Sequence, residues 1–440
     1  MSCSKDIPPF GMPRVSLSPA DLKYVLTVAE MSLRHDPLSD ANRSQVADAL
    51  LERGYSNASQ ICRGGTLVPV LGRNAFTSYG PSFSIFDASA AARGVCVMPA
   101  LPPAPPPPCS EQLRRPPFVA SFTEGRCIIG PFGYAVFSSD GSYAEDFCRN
   151  DGPLFAWSSV SPVPPTRLPG TVAVIPQAWS DAVFHWLLES IPRMRMLTWA
   201  GIPFDSIDTL IIRRLEPWHR EALDLLGVPQ EKVRECGETA HIQAERLLVP
   251  SDVEDYDYSV FPTYISHDPW VARVVAELVP DDDHLLDSPA AEHLYISRER
   301  ATWRRILNEQ ELKAFLEARG FRTVFFEEMT LREKARALRQ ASIIVAPVGA
   351  GLAHLPMGRP GSHAIILYAE DCFVSSYWLL CASCDIAHVA VLTPSLSRFF
   401  PRAVEQTLEI ARDLLVDLTA LGEALDAVKL PFVQLSAAQD

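Results

Sequence analysis

LYISRERATWRRILNEQELKAFLEARGFRTVFFEEMTLREKARALRQASIIVAPVGAGLAHLPMGRPGSHAIILY, residues 294–368, decides the fold. Short apolar runs alternate with helical ones along it. His293 to Ser297 is β-prone. Asn308 with Glu311 reads as a capping box opening a helix over Glu309 to Arg319, which Gly320 stops. Phe321 to Phe326 is a second strand. Thr330 with Glu333 is a second capping box, for a helix over Leu331 to Gln340. Ile343 to Ala346 is apolar throughout, as a strand covered on both faces should be. Ser362 to Tyr368 follows, and after a helix over Val374 to Cys384 comes a strand over Ala387 to Leu392. Strands alternating with helices of this length predict a parallel, doubly wound sheet with right-handed crossovers.

The turn Gly349-Ala350-Gly351, followed by a short helix from Leu352 to Met357, lets backbone amides approach an anion. Taken alone it is better explained by a tight turn that needs glycine. It lacks the GxGxxG spacing of a dinucleotide site and the Lys-Ser/Thr of a phosphate-binding loop. Arg298, Arg304 and Arg305 follow the first strand and fall on the same carboxyl edge of the sheet, where open α/β sheets bind ligands. Guanidinium forks grip diphosphates bidentately. A basic loop and a glycine turn at one edge predict a phosphate site.

The run ISR-x5-RRI-x-NEQEL, the acidic residue Glu327 ahead of Met329-Thr330, and GAGL before a Pro-Gly-Ser strand resemble glycosyltransferase family 61. So does FHWLLESIPRMRML at 184–197. The resemblance spans about residues 118–395. It implies an inverting glycosyltransferase of GT-B architecture, with two Rossmann-like domains facing a cleft. The donor would be a nucleoside-diphosphate sugar, with no DxD metal site and no further cofactor. Arg298, Arg304, Arg305, Asn308, Glu327, Gly349, Ala350, Gly351, Leu352 and His354 would form the donor site. The acceptor would be a glycan or glycoconjugate hydroxyl. The chain departs from the family pattern at Val348 (usually His), Ala182 (usually Asn), His354 (often Asn) and Ile366 (often Glu). These departures keep a second reading open: a catalytically degenerate, nucleotide-sugar- or glycan-binding partner in polysaccharide assembly.

Asp181, His185, Glu189 and Arg193 recur every four residues and would share one helix face. Phe184, Leu187, Leu188 and Ile191 cover the others. An inverting transfer needs a general base for the acceptor hydroxyl. Imidazole titrates near neutrality, which makes His185 the natural candidate, oriented by Glu189 or Asp181; either carboxylate is an alternative base. The plain reading is a capped helix with a Glu189–Arg193 ion pair. Pro192 should kink or break this helix after Ser190.

Further strands are expected at Thr171 to Ile175, Thr209 to Ile212 and Arg246 to Val249, with a helix over Trp218 to Leu226 ended by Gly227. Phe118 to Phe122, Arg126 to Ile129 and Tyr134 to Ser138 read as a small β-meander. Asp252, Glu254, Asp255 and Asp257 read as an acidic loop, and Asp281 to Asp283 as a linker and not a metal site. The chain divides into a helical extension (1–98), a Pro-rich linker (99–117), an acceptor-side domain (118–285), a donor-binding domain (286–398) and a C-terminal portion (399–440). The last carries a long helix, Pro401 to Val428, expected to cross back onto the first domain or to serve as a dimer face.

Net charge is −14, from 39 basic and 53 acidic side chains. A chain this acidic presents no broad surface for nucleic acid. Ten cysteines lie scattered, and only Cys381-x-x-Cys384 has suggestive spacing, without a second pair. No apolar run reaches about 18 residues, and the opening MSCSKDIPPFGMPRVSLS lacks a signal-peptide pattern. The expectation is a cytoplasmic protein with reduced thiols.

Overall fold

The computed structural model describes residues 93–99, 117–130, 134–141, 144, 147, 165–175 and 182–429, the last with gaps at 238–239, 258–263, 282–283, 288, 291, 302–303, 370–373 and 394–412. Asp181, the helices expected before residue 54, and all but the ends of the Pro-rich linker lie outside the described residues.

The predicted doubly wound sheet is present. It comprises β10 (Glu292–Ile296), β11 (Phe321–Val324), β12 (Ala341–Pro347), β13 (His363–Ala369) and β14 (Ala387–Thr393). All neighbours are parallel, in the order β11-β10-β12-β13-β14. The central strand β12 feeds two cores. Ile344 and Ala346 face one cluster and Ile343 and Val345 the other, which is why its sequence is apolar without alternation.

Helices α4 (Glu309–Glu317), α5 (Leu331–Gln340) and α6 (Ser375–Ser383) connect these strands. The capping box at α5 forms: the Thr330 hydroxyl accepts the Glu333 N–H at 3.2 Å, and the Thr330 N–H donates to the Glu333 carboxylate at 2.8 Å. Thr330→Ala should therefore cost about 1 kcal/mol of stability, read as a lower urea midpoint at unchanged slope. The box expected at Asn308 does not form. Its amide instead clasps Val416, donating to the carbonyl and accepting from the N–H, both at 2.9 Å.

The other sheet contains β1 (Val95–Pro99), β2 (Phe118–Ile129), β3 (Tyr134–Phe137), β4 (Thr166–Val174), β5 (Thr209–Ile212), β6 (Val233–Glu235) and β7 (Ala240–Pro250). Its path is β1-β2-β7-β4-β5-β6, with β3 on β2. The β7-β4-β5-β6 portion is parallel and has the strand order of a Rossmann half, with β4 and β7 flanking its switch point. The expected meander is corrected here. Its first two strands are one strand, β2, which continues through Glu124 at a left-handed φ of 50° and pairs along its length with β7. The register is the same on both sides of Glu124, from Val119 opposite Pro250 to Ile129 opposite Ala240. The acidic loop is likewise corrected: Glu254–Asp257 (β8) pairs antiparallel with Tyr264–His267 (β9).

Helices α1 (Val183–His185, continuing through Trp186–Ser190 and Ile191–Trp199), α2 (Pro217–Leu226) and α3 (Pro269–Leu278) join the sheets. One apolar cluster runs from Ala173, Leu210 and Leu248 through Leu187, Met194 and Val275 to Ile344 and Ile366. Glu221 of α2 also accepts the Leu331 N–H of α5 at 2.8 Å, filling a helix-end donor across the junction.

The C-terminal helix is shorter than expected among the described residues. It is α7, Leu418–Lys429, begun by Asp417, whose carboxylate accepts the Thr419 and Ala420 N–H groups. It packs with Leu312, Leu316, Val345, Ile365 and Leu367 on the second sheet, not across the first. No helix among the described residues is long and apolar enough to cross a membrane.

Candidate active site

In the strand order β11-β10-β12-β13-β14 the switch point lies between β10 and β12, and the carboxyl ends of the strands flanking such a point are where open α/β sheets bind ligands. β10 exits into Ser297-Arg298 and β12 into Val348-Gly349. Arg298 lies across Gly349: a Cβ built there would sit 2.8 Å from the Arg298 Cζ. The basic loop and the glycine turn, about 50 residues apart in sequence, are thus in contact.

Arg304 stands beside them with a left-handed φ of 55°, a costly conformation for a long side chain. Its guanidinium donates to the phenol of Tyr377, which is buried on α6. Burial lowers the Arg298 pKa, and the Arg304 charge lowers it further. Two cations held this close repel each other, and a dianion between them would relieve the repulsion.

The other candidates distribute unevenly. Arg305 pairs with Asp413 at 2.9 Å and, like Asn308, holds the 413–416 segment against the sheet. Glu327 is exposed on the turn Phe326–Glu328, within electrostatic reach of Arg298 and Lys334. Ala350, Gly351, Leu352 and His354 lie in a 3-10 run, Ala350–Met357. The Leu352 N–H is spent on the Gly349 carbonyl at 3.0 Å. His354 bonds the Gly351 carbonyl through Nδ1 at 2.9 Å, and burial pushes its pKa down to about 3. It is a neutral brace for the turn.

The second component is α1. It runs as Val183–His185 in α form, a π turn over Trp186–Ser190, then Ile191–Trp199. Of the kink or break expected at Pro192, the break does not occur. Pro192 has no N–H and its ring crowds the carbonyl four residues back. The preceding turn opens to i→i+5 bonding, with the Ile191 N–H on the Trp186 carbonyl, and the helix continues. Such π turns often mark functional positions. Here it holds His185 Nδ1 2.7 Å from Glu189 Oε1. The Glu189 side chain is fully buried and that of His185 is 18% exposed. With the Nδ1 proton directed at the carboxylate, Nε2 is left to accept a proton.

Arg193 is fully buried, donating to the Pro250 carbonyl at 2.8 Å and the Tyr134 hydroxyl at 3.2 Å, with Asp252 at 3.5 Å. It braces β7 and β3.

Phe184 connects the two components. Its ring meets His185, His267 and Tyr377 at 5.3, 5.7 and 5.7 Å between centroids. His185 therefore neighbours the ring that meets Tyr377, which in turn holds Arg304. His267 of β9 also approaches Glu189 at 3.9 Å. Tyr377 and His267 carry no local sequence signal. One lies on an apolar helix and the other ends β9, where no strand was expected. Among the described residues no group of three or more His, Cys, Asp or Glu side chains could hold a metal ion.

An α/β protein with paired arginines at a sheet switch point, and a carboxylate-backed histidine linked to them through Phe184 and Tyr377, has the parts of a group-transfer site. The family model described as Glycosyltransferase 61 matches residues 183–365, from the first residue of α1 into β13. That span contains His185, Glu189, Arg298, Arg304 and the 349–351 turn, and over it the chain is similar to glycosyltransferase family 61. The domain is accordingly that of a transferase, with donor and acceptor substrates. No curated protein matches the chain.

Proposed function

We propose that the protein is an inverting glycosyltransferase that moves a sugar from a nucleoside-diphosphate donor to a glycan hydroxyl. Its two sheets would face one another in the GT-B manner. The contact of Arg298 with Gly349 at the switch point, with Arg304 beside it, carries this reading. The diphosphate would lie over the 349–351 turn. The acceptor oxygen would attack the anomeric carbon from the α1 side, giving its proton to His185 Nε2. The bond from that carbon to the diphosphate oxygen would break, its electron pair leaving with the diphosphate. Arg298 and Arg304 would receive the added charge, and Glu189 would steady the imidazolium. The arginines supply the counter-charge in this scheme, and independence of a divalent ion follows from the family resemblance.

Titration of the protein with UDP, GDP and CMP and their common sugars, first without and then with a divalent ion, tests the proposal. Saturable binding to one nucleotide is expected without metal, weakened about tenfold or more in Arg304→Ala. Absence of binding to all of them would remove the donor site.

The degenerate-partner reading has its own support. Val348 and Ile366 are buried in the apolar cluster, where the family more often has His and Glu. Donor binding with neither transfer nor donor hydrolysis would decide for it.

A further inference from the structure

Glu309 is the first residue of α4, and its side chain is buried at the carboxyl end of β10. Its carboxylate accepts the Tyr295 hydroxyl at 2.9 Å and the Ser297 hydroxyl. The Ser297 oxygen in turn accepts the Glu299 N–H at 3.1 Å, and the Ser297 N–H donates to the Val324 carbonyl at 3.0 Å. The residues on both sides of Arg298 are therefore tied down while its side chain reaches across Gly349. Burial, then the Glu309 charge, push the Tyr295 phenol far above its usual range, so it remains a donor. A buried carboxylate is costly to keep for packing alone. This one sits at a helix N-terminus, which favours negative charge, and spends its acceptors on the strand exit that launches Arg298.

We infer that Glu309 is a positioning residue of the diphosphate site: through Ser297 it sets the direction from which Arg298 reaches over the 349–351 turn. Glu309 itself touches no ligand. The inference rests on the diphosphate reading of that edge.

The test uses the full chain and titration with UDP and GDP. Glu309→Gln keeps the shape but exchanges one acceptor oxygen for an N–H donor, so one of the two hydroxyls loses its partner. We expect affinity to fall about tenfold, with a smaller loss for Ser297→Ala, which leaves the Glu309–Tyr295 bond intact. In an Arg298→Ala background the Glu309→Gln change should alter affinity by less than about twofold, because the arginine it positions is gone. Unchanged affinity in both single variants, or penalties that multiply in the double variant, would overturn the inference and leave the donor site standing. If Glu309→Gln melts early, Ser297→Ala alone and combined with Arg298→Ala gives the same comparison. A wild-type protein that binds neither UDP nor GDP would overturn the inference together with the diphosphate reading.

Discussion

Gly349→Ala should lower nucleoside-diphosphate affinity by about a hundredfold, close to the loss expected for Arg298→Ala. The effect is steric. The backbone at Gly349 is extended, at φ 172°, so alanine meets no conformational penalty there. Its methyl group would occupy space that Arg298 now fills, 2.8 Å from Cζ and 3.2 Å from Cδ. The guanidinium must swing away, because the turn beneath it is braced by His354 and by the Leu352 N–H. A charge-assisted contact to phosphate is worth about 1.5–3 kcal/mol, and misplacing it forfeits most of that. Calorimetry on Gly349→Ala, Arg298→Ala and the double variant reads the coupling. The double variant should bind no worse than Arg298→Ala. Wild-type affinity in Gly349→Ala would place the diphosphate elsewhere. The smaller Ala-to-Gly difference in chain entropy affects melting, not this comparison.

His185→Ala should lower turnover by about 10²–10⁴-fold, the usual contribution of a general base, while diphosphate affinity changes by less than about threefold. The split follows from position. His185 lies on α1, and between it and Arg304 stand Phe184 and Tyr377. Its partner Glu189 is fully buried and 2.7 Å away. Glu189→Gln keeps the shape and removes the charge that steadies an imidazolium. Its turnover should fall less than that of His185→Ala, by about tenfold to a hundredfold. Transfer, or donor hydrolysis before an acceptor is identified, measured alongside diphosphate titration, checks both. Full turnover in His185→Ala would remove the histidine as base and leave Glu189 or Asp181 to be tried.

Elements that rest on local chemistry were legible. The Thr330–Glu333 box, the apolar run of β12 and the stops at Gly227 and Gly320 each depend on residues within a few positions of one another. Their outcome agrees with the pattern. The errors share a cause. Asn308 has the chemistry of a cap but is engaged by Val416, 108 residues away. Arg305 has the chemistry of a phosphate ligand but is paired with Asp413. The strands at 118–122 and 126–129 are one because β7 offers a continuous partner.

The site divides in the same way. Sequence alone determined its chemistry: arginines after one strand, a glycine turn after another, and a histidine and a carboxylate four residues apart on a helix. Only the tertiary structure decided which of these act together. The strand order sets β10 beside β12 and so lays Arg298 over Gly349. Packing of α6 brings Tyr377 to Arg304, and the β8–β9 hairpin brings His267 to Glu189. Spacing along a helix or strand is written in neighbouring residues. Which distant segment fills a given gap depends on the free energy of the whole packed core, and no local pattern carries that information.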